Sequence, residues 1–136
     1  MSSTANYAAS PKVGMAVIST ANSNLDGTGT LGTVFTAGTN GSRIDTILIY
    51  ATGTTTAGMV RLFISDGTNN RLIAEVPVVA VTPSSTQPAF SALLQSNNNG
   101  LLNSAPLPVN FQTTYLLKAS TQNAETFNVI ALGGDY

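Results

Sequence analysis

The chain has 136 residues with neither cysteine nor histidine, the size of one domain able to bury about two-thirds of its unfolded surface. The missing residue types remove disulfide scaffolds, thiolate sites, the commonest metal ligand and the commonest general base. Charged residues are only 8 % and the formal net charge is −1, which excludes the lysine and arginine clusters of a nucleic-acid footprint and leaves little repulsion against self-association.

Residues 1–11 are small and polar around one aromatic, Tyr7. They read either as a frayed terminus or as an arm that orders on a neighbouring subunit with Tyr7 as its anchor. Residues 13–19 are the first expected strand, in which Gly14 and Ala16 leave room for close packing. Residues 22–32 are dense in Asn, Asp and Gly and read as a loop. Gly27-Thr28-Gly29 is no phosphate loop, because neither the Lys-Ser/Thr pair nor a helix follows. A short strand at 33–36 leads into a turn at 37–41, where Asn40-Gly41-Ser42 reads as turn chemistry rather than as a glycosylation acceptor.

The chain is organised around residues 42–71. Ile47 and Ile49 alternate with Leu48 and Tyr50, so residues 44–50 are apolar on both faces and predict a central strand buried on both sides. In residues 59–65 the alternation separates Val60, Leu62 and Ile64 from Met59, Arg61, Phe63 and Ser65, the period of a strand. The face that holds both Arg61 and Phe63 is expected to be only partly solvated, under a loop or a partner. Asp66-Gly67 supplies turn chemistry, and residues 59–76 predict a β-hairpin with a longer loop. Pro77 then places residues 76–81 at a sheet edge or a bulge.

Residues 82–88 are a loop, 89–94 a strand or a short helical turn, and 96–100 a strong turn. Residues 101–109 form an apolar, proline-broken connection, either crossing an end of the fold or serving as a contact loop. Residues 113–119 and 125–132 are the last strands, with 120–124 expected as the hairpin loop between them. About eight short strands without helical periodicity predict an all-β fold, a single-domain β-sandwich of jelly-roll-like form. Residues 1–12 are expected as a flexible N-terminal arm and 13–136 as the β-sandwich domain. No segment approaches the ~20 apolar residues of a membrane span and the start has no signal-peptide pattern, so a soluble, unprocessed chain is expected.

The carboxylates are Asp26, Asp45, Asp66, Glu75, Glu125 and Asp135. Asp45 and Glu75 could form a glycosidase-type pair, but nothing in the sequence favours it, and the expectation is no enzyme, no metal and no cofactor. Asp66-Gly67-Thr68-Asn69 clusters oxygens yet lacks the spacing and closing Glu of a calcium loop. Arg43 with Asp45, and Arg61 with Glu75, read as edge protection or cross-strand pairs, with interface pairs as the alternative.

The segments at 52–67 (TGTTTAGMVRLFISDG) and 124–136 (AETFNVIALGGDY) resemble those of small structural proteins of tailed bacteriophages, in particular the cement, or head-decoration, proteins on the capsid exterior. The likeness runs over most of the chain from Gly32 onward and contains no catalytic motif. It implies a jelly-roll-like fold, a homotrimer at threefold positions and clamping of the major capsid protein on the outside of the virion, after synthesis in the host cytoplasm. Neither nucleic acid nor membrane is an expected partner. Such proteins engage the shell through a terminal arm, which makes Tyr7, Pro11 and Lys12 the expected capsid contacts; Arg61, Phe63 and Asp45 are taken as the oligomer interface. The alternative is a receptor-binding, carbohydrate-binding module of a phage tail or fibre, disfavoured by the absence of Trp and the presence of only 4 Tyr.

Overall fold

A computed structural model describes residues 9–95 and 108–136. Nine strands follow one another: β1 (Ser10–Ile18), β2 (Gly32–Thr36), β3 (Ser42–Ala51), β4 (Gly58–Ser65), β5 (Asn70–Val78), β6 (Ser91–Gln95), β7 (Val109–Phe111), β8 (Leu116–Thr121) and β9 (Phe127–Asp135). They form two antiparallel sheets, ordered β1-β9-β3-β6 and β2-β8-β4-β5. The short β7 pairs with the first residues of β3, on the side where β6 takes the rest. The protein is an all-β sandwich.

The pairing is nested. β4 and β5 are the innermost hairpin, β3 pairs with β6 outside it, β2 with β8 outside that, and β1 with β9 outermost. Successive pairs fall alternately in the two sheets, which brings apolar faces from both into one core. Ile44, Ile47, Ile49, Phe127, Val129 and Ala131 line it from the first sheet, and Val60, Leu62, Leu117 and Ala119 from the second. Within each strand they recur every second residue, the alternation a strand imposes, except from Ile44 to Ile47, where a bulge in β3 adds one residue. Edge-to-face contacts join Phe35 to Phe111 and Phe90 to Phe127, each with ring centroids about 6 Å apart.

Where edge strands of the two sheets meet, β1 lies close over β2. A Cβ on Gly14 would stand 2.2 Å from the Val34 carbonyl oxygen, so glycine is the residue that permits this approach, and the close packing expected around Gly14 is present. Pro77 falls in β5, an edge strand as expected.

Three expectations change. β1 starts at Ser10, so residues 10–12 belong to the sandwich and not to an arm; residues 1–8 lie outside the described residues. The strands at 116–121 and 127–135 are not a hairpin, because β8 lies between β2 and β4 while β9 lies between β1 and β3. A short polar run serves equally for a hairpin and for a crossing between sheets, and only long-range pairing decides. Finally, β3 is central but has just one fully buried face; Leu48 is half-buried and Tyr50 exposed on the other.

Candidate interaction surface

The two sheets differ in what lies over their outer faces. On the second sheet, Phe63 is fully buried yet stands outside the sandwich core. Residues 19–31 run over this face. At one side Asn22 N–H donates to the Thr121 carbonyl at the end of β8 (2.8 Å), and at the other Asn70, opening β5, donates to the Gly27 carbonyl (3.0 Å). Asn22 organises the crossing: its amide donates to the carbonyls of Thr28 and Thr30, both at 3.0 Å, and its Oδ1 accepts from the Asn24 N–H. Gly27, at φ 88, lies so close to Asn70 that a Cβ would meet the Asn70 carbonyl oxygen at 2.5 Å.

Beneath this strap, Arg61 is 5 % exposed. Its Nε donates to Glu75 Oε1 and its Nη2 to Gln122 Oε1, both at 2.8 Å, and Glu75 is its register partner on β5. The expected cross-strand pair is therefore present. Arg61 and Phe63 are covered by the chain's own loop, and neither is available as an oligomer interface.

The outer face of the first sheet carries no such strap among the described residues. Its outward side chains align in three register rows across four strands: Val13, Leu132, Thr46 and Gln95; Met15, Ile130, Leu48 and Leu93; Val17, Asn128, Tyr50 and Ser91. Met15 is 71 %, Val17 65 % and Val13 57 % exposed. A shallow hollow opens between Met15, Val17, Asn128 and Ile130. All twelve positions are uncharged and seven are aliphatic. In the sequence this signal appeared in residues 44–50, apolar on both faces and expected to be buried on both, but period-two patterning does not say which face a neighbour covers.

Asp45 lies at the end of this face, at a bulge in β3 opposite β9, and its carboxylate accepts from Arg43 Nε at 2.9 Å; burial pushes its pKa up. Asp45 and Glu75 sit in different sheets, each with its own arginine. Tyr7 lies outside the described residues. Pro11 is within β1. Lys12 is engaged internally: its Nζ donates to the Thr36 carbonyl, lies 3.3 Å from Asp135 Oδ1 and stands over the Phe35 ring. Asp66 closes the β4–β5 turn by accepting from the Thr68 and Asn69 N–H groups, which hold its pKa below the usual value. No cluster of three metal-ligating side chains forms among the described residues.

No family model matches this sequence, and no curated protein matches it.

Proposed function

We propose that the protein is a structural, non-enzymatic subunit of a virion, a cement or decoration protein that binds the outer surface of a phage head and stabilises the shell. The observation that carries this reading is the uncharged, largely aliphatic outer face of the first sheet, set on a sandwich whose other face is sealed by its own loop. A rigid scaffold with one adhesive side suits a role in which many weak contacts add into firm retention. The nested pairing of β1 with β9, β2 with β8, β3 with β6 and β4 with β5 supports the jelly-roll reading, an architecture used by capsid and lectin domains alike. The homotrimer and the contact with the major capsid protein follow from the resemblance of residues 52–67 and 124–136.

The test is co-sedimentation of the purified chain with phage heads that lack it. Binding together with a raised shell-disruption temperature is the expected result, and heads that neither retain the chain nor gain stability would refute the reading. A second reading, a glycan-binding tail or fibre module, is favoured by the hollow between Ser65, Asp66, Asn69, Arg71 and Tyr115, which combines polar groups with one aromatic ring. It predicts glycan-array signals lost on Tyr115→Ala.

A further inference from the structure

We propose that the covered face of the second sheet holds a built-in binding site for one water molecule, shared between Arg61 Nη1 and Ser120 Oγ. The site lies in the other sheet from the aliphatic face that carries the shell-binding reading and is independent of it.

Two buried groups point to a ligand. Arg61 uses Nε on Glu75 and Nη2 on Gln122, which leaves Nη1 as a donor. Ser120 is 1 % exposed. Arg61 Nη1 and Ser120 Oγ are both cut off from solvent, and neither has a hydrogen-bond partner among the described residues. Buried polar groups are paired as a rule, because the hydration they give up is otherwise not replaced. The two belong together. Arg61 on β4 is the register partner of Ser120 on β8, and residues directly opposite on antiparallel strands share a face, with Cβ atoms about 5 Å apart. A guanidinium only donates, whereas a hydroxyl both donates and accepts. Complementary groups that stand side by side without bonding each other are the arrangement a bridging water serves.

Room and access are also present. A cavity of about 100 Å³ opens between the roots of the strap, lined by Ser19, Thr20, Thr30, Leu31, Gly32 and Ser120. That exceeds the ~30 Å³ one water takes in the liquid. Because β8 lies between β2 and β4, Ser120 stands between this cavity, on the β2 side, and Arg61, on the β4 side. A buried water is held by about three hydrogen bonds. Here it accepts from Nη1, bonds the Ser120 hydroxyl and has the polar groups of the lining for a third.

Charge selects water over an anion. The guanidinium is already met by Glu75 at 2.8 Å. A halide or carboxylate would bring a second negative charge to the same guanidinium and would have to shed its hydration beneath the strap. An uncharged ligand that both donates and accepts carries no such cost.

The experiment is crystallography of the full chain at a resolution that shows ordered water, with one crystal soaked in bromide. The expected result is a density peak within hydrogen-bonding distance of both Arg61 Nη1 and Ser120 Oγ, with no anomalous bromide signal there. Nothing between the two atoms, or bromide at that position, overturns the proposal. Oxygen-17 relaxation dispersion repeats the test in solution on wild type, Ser120→Thr and Ser120→Val, two substitutions of nearly equal shape of which only the first keeps the hydroxyl. Wild type and Ser120→Thr are expected to hold a long-lived internal water, and Ser120→Val one fewer. A folded Ser120→Val chain with the wild-type dispersion, or a wild type with no long-lived water, overturns the proposal.

Discussion

Arg61 and Asp135 show how single residues hold this fold. A buried guanidinium is tolerated when paired, and removing its partner leaves a desolvated charge. Glu75→Ala is expected to cost on the order of 3 kcal/mol, whereas Arg61→Met, which removes the buried charge and leaves a partly exposed Glu75, costs about 1 kcal/mol; urea midpoints give the order. Asp135 accepts from the buried Ser42 hydroxyl and pairs with Lys12, and the Ser42 hydrogen bond leads in holding its pKa below the usual value. A depressed carboxylate contributes stability that is complete above its unfolded value and is lost as pH falls through the lower folded value. Asp135→Asn should therefore lose less stability than wild type as pH falls below about 4, measured as Tm against pH. The Arg61–Glu75 pair was readable as a cross-strand pair, but the role of Asp135 was not: Ser42 and Asp135 are 93 positions apart, and only the pairing of β3 with β9 brings them together.

Among the elements, β1 is the most constrained. Its odd residues Val13, Met15 and Val17 face outward while Gly14 lies against β2. Gly14→Ala forces a Cβ into the Val34 carbonyl, and the backbone has to move; a loss of about 1–3 kcal/mol is expected, read as a lowered Tm. The strands were legible wherever period-two alternation ran for several residues, as in β3, β4 and β9. β7 was missed because 3 residues carry no period. The start of β8 was placed early because Thr114, at φ 72, belongs to a turn, a backbone state that residue identity does not reveal. The cover over Phe63 was foreseen as a need, and the segment at its source was read, at residues 22–32, only as a loop.

For the whole molecule, composition and strand count sufficed for the all-β sandwich, because alternation and the lack of helical periodicity are local signals. Strand order was not legible, since each nested pair joins segments farther apart in sequence than the pair inside it. The same property separates the two candidate surfaces. Arg61 and Phe63 looked like an interface because a charge and an aromatic shared one strand face, yet a distant loop seals them; Met15 and Ile130 looked like ordinary strand residues, yet nothing among the described residues covers them. The position of β9 has a consequence for synthesis. Of the nine described strands it comes latest in the chain and it lies between β1 and β3, so the first sheet cannot close until translation has passed Asp135, and its long-range pairing is slow to form. A ribosome product cut short before that point leaves β1 with no strand to join it to β3 and never completes the aliphatic face.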